Sequence, residues 1–295
     1  MNRLRKLVIV GVGLIGGSVS LALKQRGSVG EVVGVGRSRE NLDVARDASV
    51  VDRAFTLDEN WLPEVGDADI VLIATPVAQI PGILANLSLA LGARTIVTDA
   101  GSTKQDVVAA ARERLGSALP RFVPAHPVAG TENFGAAAAF ASLFEGRQTI
   151  VTPLPETDAA ALQAVRELWE ACGARVVELD PEDHDRILAA VSHLPHVLAA
   201  AYVASLAVRS DALSLFAHAG GGFRDFTRIA AASPEMWRDI TLANRKALIE
   251  EIAAYRGALD VIESAIEASD REAIETLFGS ASAARRGYSR DRGEG

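Results

Sequence analysis

His126 stands between an apolar run and a Pro/Gly-rich loop, in Pro124-Ala125-His126-Pro127-Val128-Ala129-Gly130-Thr131-Glu132. An imidazole titrates near neutrality, so a histidine held on such a scaffold can take or share a proton at physiological pH. Ser102 lies in Thr98-Asp99-Ala100-Gly101-Ser102-Thr103-Lys104, where a helical pattern begins. Its hydroxyl can orient a ligand at a helix start. Alternatively, Ser102 or Thr103 simply caps that helix. Further on, Gly220-Gly221-Gly222-Phe223-Arg224-Asp225-Phe226-Thr227-Arg228 spaces two arginines four apart on one helix face. Two guanidiniums so placed make a carboxylate or phosphate clamp. The plainer alternative is a salt bridge to Asp225 or Asp239. Ser192-His193-Leu194-Pro195-His196 sets two histidines at i, i+3, also on one face. No cysteine or nearby carboxylate completes a ligand set there, so no metal is expected.

These groups need a cofactor site to act on. The chain opens with Lys6-Leu7-Val8-Ile9-Val10, then Gly11-Val12-Gly13-Leu14-Ile15-Gly16, then a helical pattern. Strand, glycine turn and helix in that order are the dinucleotide fingerprint in its required context. Gly11 permits the tight turn, Gly13 the approach of a pyrophosphate, and Gly16 close packing of helix on strand. The N–H groups around Leu14 and Ile15, with the helix dipole behind them, favour phosphate charge. After the second strand comes Gly36-Arg37-Ser38-Arg39, with no Asp or Glu where an NAD site usually holds the ribose 2′-hydroxyl. Arg37, Ser38 and Arg39 suit a 2′-phosphate, which leans the reading toward NADP. As a solvated loop they would leave NAD possible. Ala74-Thr75-Pro76 ends another strand and either presses on the dinucleotide or is a plain turn. A secretory signal is not expected, because glycines break the first apolar run and no small-residue cleavage site precedes Lys24.

The positioning elements follow from periodicity. Strands are expected at 7–10, 31–35, 70–74, 95–98, 122–124, 148–152 and 175–179. Helices are expected at 41–48, 79–87, 104–115 and 158–172. Such alternation implies a mostly parallel, doubly wound sheet with helices on both faces. Whether the late strands extend it in antiparallel sense is left open. Asp180-Pro181-Glu182-Asp183 reads as N-cap, proline at the first helical position and acidic first turn. Beyond it only helices are expected, at 184–208, 233–268 and 271–284, with Ser233-Pro234 a second cap. The reading is therefore α/β then all-α: a Rossmann-like domain over 1–180, a helical domain over 181–284, and a disordered polar tail over 285–295. The helix near 188–208 is apolar on most faces and needs cover on all sides, so a homodimer is expected.

The 295 residues are 49% hydrophobic, enough for two cored domains. A net charge of −8 and a pI near 5.3 argue against general affinity for nucleic acid or anionic membranes. No uninterrupted apolar stretch of about 18 residues occurs, so no membrane span is expected. The single cysteine, Cys172, rules out an internal disulfide and suits the cytoplasm. It reads as buried packing.

Taken together, Gly11–Ser18, the Asp99–Lys104 loop, His126-Pro127-Val128-Ala129-Gly130-Thr131-Glu132, Ser192–His196, Gly220–Arg228 and Met236-Trp237-Arg238-Asp239 resemble the prephenate/arogenate (cyclohexadienyl) dehydrogenase family of tyrosine biosynthesis. The likeness runs to about Leu277. It implies a Rossmann-like domain followed by a helical dimerisation domain, and NAD(P)-dependent oxidative decarboxylation of a cyclohexadiene. By this resemblance His126 is the catalytic base and Ser102 orients the substrate hydroxyl. Gly101 lies with the cofactor residues. Arg228 binds a substrate carboxylate, with Arg224 a second cation. His196, His193 and Ser192 line the substrate side chain. Thr131 and Glu132 belong to the substrate loop, Glu132 as a gate. No chorismate mutase segment or long C-terminal extension is seen, so a monofunctional enzyme is expected. Any tyrosine inhibition would act at the active site itself. Prephenate and arogenate are not distinguished. Another dehydrogenase on the same two-domain plan, or a non-catalytic dinucleotide sensor, would share the glycine loop. The first usually needs a lysine from the helical half, where only Lys246 occurs, and the second has no use for Ser102, His126 and Arg228.

Overall fold

The computed structural model describes residues 3–292 except Glu132, with side chains to residue 288. It contains two compact units, Met1–Arg245 and Lys246–Gly295. The first begins with alternating β1 (Leu4–Val10), α1 (Leu14–Gln25), β2 (Val29–Gly36), α2 (Arg39–Asp47), β3 (Arg53–Thr56), β4 (Ile70–Ile73), α3 (Ile80–Leu87), β5 (Ile96–Asp99), α4 (Gln105–Arg114) and β6 (Phe122–Val123). The six strands run parallel in the order β3-β2-β1-β4-β5-β6. Successive side chains of a strand point to opposite faces. Leu7 and Ile9 accordingly join Val19 and Leu23 of α1, while Val8 and Val10 join Ile80 and Leu84 of α3. With both faces covered from Leu7 to Val10, that stretch of β1 needs an apolar residue at every position, which is why its sequence runs rather than alternates.

β7 (Ala125–Pro127), β8 (Gln148–Val151), α5 (Ala159–Ala171) and β9 (Arg175–Glu178) follow. These late strands do not extend the main sheet. They form their own, with β7 antiparallel to β8 and β8 parallel to β9. Pro124, which has no N–H to donate, separates β6 from β7. Its carbonyl instead receives the N–H of Thr152, at 2.9 Å. β3 and β7, at four and three residues, were not anticipated: Arg53 breaks the apolar pattern of the first and Pro127 that of the second.

The helical part opens with α6 (Pro181–Leu188), a π turn at Ala189–His193, and α7 (Leu194–Ala207). The Asp180 side chain caps α6 by accepting from Glu182 N. The π turn was not anticipated. Pro195 cannot donate to the carbonyl one turn back and its ring crowds that carbonyl, so a wider turn is accommodated just before it. The run Pro181–Ala207 is long and apolar enough by composition to cross a bilayer. Its first turns, however, carry buried His184, Asp185 and His193. α8 (Ala212–Ala217), α9 (Gly221–Thr227) and α10 (Pro234–Ala243) complete this part, with Ser233 capping α10. The single helix expected over 233–268 breaks at Asn244, whose side chain turns inward to buried partners.

The second unit holds most of α11 (Arg245–Glu267), and then α12 (Arg271–Arg292). Ser269 turns with φ 53°, and Asp270 accepts from Ala273 N at 3.0 Å. The tail expected to lack order from residue 285 is helical to Arg292. Ala283, Ala284, Arg285 and Arg286 are strong helix formers and prolong α12.

Candidate active site

The strand order reverses direction at β1 and β4, and in open α/β sheets the ligand crevice lies beyond the strand ends at that point. Gly11 sits there with φ 105°, and a Cβ on it would lie 2.5 Å from the Ala74 carbonyl oxygen. The glycine loop and the Ala74-Thr75-Pro76 turn are thus packed backbone to backbone. A Cβ on Gly16 would meet Ile9 Cγ2 at 2.7 Å, so this glycine serves the packing of helix on strand. A Cβ on Gly13 would meet nothing within 4 Å. Gly13 is also the N-cap of α1, and no side chain caps the helix. The N–H groups of Leu14, Ile15 and Gly16 therefore begin a helix beside open space. Thr75 Oγ1 is buried in the same crevice with no hydrogen-bond partner among the described residues. An uncapped helix start, a bare glycine and an orphaned hydroxyl fit a bound dinucleotide.

At the end of β2, Ser38 caps α2 by accepting from Asn41 N at 3.2 Å. Arg39 pairs with Glu59, and Arg37 reaches Glu235 at 3.5 Å with both side chains largely exposed. Asn41 braces the glycine loop by donating to Val12 O at 2.7 Å.

His126 is buried on β7. The loop carrying Ser102 grips the residue before it. Asp99 accepts from Ala125 N at 3.2 Å, and Lys104 Nζ donates to Ala125 O at 2.8 Å. Lys104 and Asp99 also form a fully buried ion pair. Gly101 N donates to Asp99 at 2.8 Å, which shapes the loop. Ser102 is half-buried on it. Neither Ser102 nor Thr103 caps α4, as one reading allowed. That role falls to Asp185, which accepts from Lys104 N at 2.8 Å and from Gln105 N at 2.9 Å. Its two carboxylate oxygens each take one of these N–H groups.

Asp185 Oδ1 lies 2.8 Å from His184 Nδ1, and His184 Nε2 lies 2.8 Å from His126 Nδ1. Burial, then the nearby His184, Lys104 and His193, hold His126 well below the usual histidine range. Burial also lowers His184, although Asp185 opposes it. Burial would raise Asp185, but the hydrogen bonds from His184, Gln105 N and Lys104 N outweigh it and hold the carboxyl low. At neutral pH the set is two neutral imidazoles and one carboxylate.

A second arm starts from Asn244, whose Nδ2 donates to Asp185 O at 2.7 Å and lies 3.1 Å from His193 Nδ1. Burial pushes His193 down to about 4. Trp237 stacks on His196 with ring centres 3.8 Å apart and meets His193 edge-on at 6.0 Å. His196 Nδ1 donates to Ile229 O at 3.1 Å, leaving Nε2 as an acceptor. Burial lowers His196, the hydrogen bond to Ile229 O opposes it, and the charge of Arg228, next in the chain to Ile229, lowers it further. Ser192 is half-buried in the π turn. Arg224 and Arg228 are exposed, and among the described residues neither forms an ion pair. Asp239 pairs with Arg238 instead. Arg228 begins a 3-10 turn rather than continuing α9, so the two arginines do not share a regular helical face. Thr131 is exposed and accepts from Asn133 N at 3.2 Å. Glu132 lies outside the described residues.

Sequence reasoning missed His184, Asp185, Asn244, Trp237 as a stacking partner, and the Asp99–Lys104 clamp. His184 follows an acidic first turn and reads locally as a solvated helix face. Only its pairing with a residue 58 positions away reveals it.

Comparison with known proteins gives a consistent result. The family model for the nucleotide-binding domain of prephenate dehydrogenase matches residues 19–178, and that for its dimerization domain matches 180–280. Prephenate dehydrogenase of Bacillus subtilis is 36% identical over 281 residues, which is 94% of this chain and 75% of that protein. Cyclohexadienyl dehydrogenase of Zymomonas mobilis is 33% identical over 284 residues, 94% of each. The crystal structure of prephenate dehydrogenase from A. aeolicus, in complex with hydroxyphenyl propionate and NAD+, superposes with a TM-score of 0.87. That pair is 35% identical, covering 96% of this chain and 98% of the other.

Proposed function

The chain belongs to the prephenate dehydrogenase family, and from that premise we propose that it oxidatively decarboxylates prephenate to 4-hydroxyphenylpyruvate with a nicotinamide dinucleotide. The observation that carries this reading is the buried His126, held neutral at the strand ends beside the dinucleotide crevice. Gly11, Gly13, Leu14, Ile15 and Gly16 would receive the pyrophosphate, with Thr75 and Gly101 near the rest of the dinucleotide. When bound, that cofactor supplies the acceptor for the hydride leaving ring carbon 4. His126 takes the proton of the 4-hydroxyl as the carbonyl develops, and Ser102 orients that hydroxyl. The bond to the ring carboxylate then breaks, carbon dioxide leaves, the bonding pair completes the aromatic ring, and the ring oxygen, now a phenolate, takes the proton back from His126. Arg228, which forms no ion pair among the described residues and adjoins Ile229, the hydrogen-bond partner of His196, binds a substrate carboxylate, with Arg224 as a second cation.

The absence of an acid at the β2 end and the loosely held Arg37 support NADP as the preferred cofactor. A second reading, use of arogenate as well, is favoured by the cyclohexadienyl relative. Homodimer formation is supported by exposed apolar residues of the helical part, among them Tyr202, Leu213 and Phe226, and by the match to a dimerization domain. A cytoplasmic setting accords with the family's biosynthetic role and with the free, buried Cys172.

The test is stoichiometry together with one variant. Prephenate should yield carbon dioxide and reduced dinucleotide in equal amounts. His126→Asn should lower kcat by about 10²–10⁴, the range for a lost general base, while prephenate still binds. Dinucleotide reduction without carbon dioxide, or undiminished turnover in the variant, would refute the reading.

A further inference from the structure

The base assigned to His126 works only if one particular ring nitrogen carries the lone pair, and the structure contains a device that decides which. We propose that His184, anchored by Asp185, is a positioning residue that keeps a hydrogen on Nδ1 of His126 and so presents its Nε2 lone pair to the substrate. The inference rests on the reading of His126 as the base.

The chain of constraint begins at Asp185. A carboxylate only accepts hydrogen bonds. Its oxygens already receive Lys104 N and Gln105 N from the start of α4, so the carboxylate cannot turn away. His184 Nδ1, 2.8 Å from Oδ1, must therefore be the donor. A neutral imidazole has one N–H, so His184 Nε2 is a bare acceptor. It lies 2.8 Å from His126 Nδ1, which must then hold its own hydrogen. The two rings meet edge-on, with centres 5.1 Å apart and planes at 64°. All three side chains are buried, which strengthens each link and removes water that could satisfy the opposite tautomer.

The other ionisable groups around the pair are already committed. Lys104 Nζ is held by Asp99 and Ala125 O, and His193 Nδ1 is met by Asn244. None of them offers His126 Nδ1 an alternative acceptor. When His126 Nε2 receives the substrate proton, the Nδ1 hydrogen stays in place. The resulting cation faces the His184 lone pair, with the Asp185 carboxylate behind it. Asp185 also joins α6 to the start of α4, so the loop bearing Ser102 and the orientation of His126 are set by one side chain.

The experiment has two independent readouts on the full-length protein. Imidazole 15N NMR of the wild type should show His126 neutral and protonated on Nδ1. His184→Phe keeps a buried ring but removes the acceptor, so part of the His126 signal should move to the Nε2-protonated form. In that variant kcat with prephenate should fall about 10²-fold or more, toward the roughly 10⁴-fold known for a wrongly held tautomer, with KM little changed. His184→Gln, whose amide oxygen can reach the same place, should recover most of the loss. A His126 protonated on Nε2 in the wild type overturns the proposal, even if the variants fail to fold. So does a His184→Phe protein with wild-type kcat. Failure of the base assignment itself shows separately, as a His126→Asn enzyme that still turns over while the wild-type tautomer is as stated.

Discussion

Gly11→Ala and Gly13→Ala, two residues apart in one loop, should fail in opposite ways. At Gly11 the backbone has φ 105°, and a new Cβ would sit 2.5 Å from the Ala74 carbonyl oxygen. An L-residue held there costs on the order of 1–3 kcal/mol, and forcing β4 and the loop apart adds about 1–3 more. A loss near 3 kcal/mol is a large part of a typical 5–15 kcal/mol stability, and should lower Tm by roughly 10 °C in a chain of this size. At Gly13 the backbone is extended, with φ −113°, and the added Cβ meets nothing. Fold stability should change by less than about 1 kcal/mol, because losing glycine at an N-cap and stiffening the unfolded chain nearly offset each other. The Cβ would instead occupy the space before the N–H groups of α1. Two weakened charge-assisted hydrogen bonds, at about 1.5–3 kcal/mol each, predict a dinucleotide Kd raised about 10²-fold or more. Thermal melts and calorimetric titration with NADP and NAD measure both quantities. A stable Gly13→Ala protein that binds both dinucleotides normally would show that the cofactor does not lie over this helix start. A Gly11→Ala protein as stable as wild type would refute the contact with Ala74.

Three further outcomes follow from the same geometry. The unfolded chain protonates histidine near 6.5, whereas folded His193 does so at about 4, so its contribution to stability is intact above about 6.5 and is lost as pH falls toward 4. That loss is about 3 kcal/mol from His193 alone, at about 1.4 kcal/mol per pH unit; His126 and His184 shift in the same direction. Urea melts between pH 7 and 4 check it, and a flat profile would contradict neutral buried histidines. Arg228→Ala should raise KM for prephenate about 10-fold or more while changing kcat less, since a charge-assisted hydrogen bond contributes about 1.5–3 kcal/mol; initial-rate kinetics with an unchanged KM would count against the clamp. Arg37→Asp should move the ratio of kcat/KM toward NAD by at least about 10-fold, by removing a 2′-phosphate partner and adding a 2′-hydroxyl acceptor. An unmoved ratio would mean that Arg37 does not face the ribose.

What could be read from sequence was local. The glycine loop declares itself because a strand, a tight turn and a helix start need fixed residue types at fixed spacing. Asp180-Pro181 and Ser233-Pro234 declare helix starts for the same reason, and both serine and aspartate cap as expected. What escaped was long-range. Asp185 caps a helix 80 residues earlier, and nothing in its own neighbourhood distinguishes it from Asp183, which pairs with Arg186 on the surface. Asn244 looked like one more helical position, yet it ends α10 because its amide serves Asp185 and His193. For Arg224 and Arg228 the sequence left a clamp and a salt bridge both open, and their expected common helical face depended on a helix that in fact tightens at Arg228. The candidate site residues were legible where they sit on strand ends and loops. The residues that orient them were not, because hydrogen bonds between distant segments leave no periodic mark.

The central claim is the reaction, and it is tested most directly by initial rates with prephenate and with arogenate, each with NADP and with NAD, followed by absorbance of the reduced dinucleotide. Turnover is expected with prephenate, faster per unit concentration with NADP than with NAD. No reduction in any of the four mixtures, by folded protein that binds a dinucleotide, would contradict it.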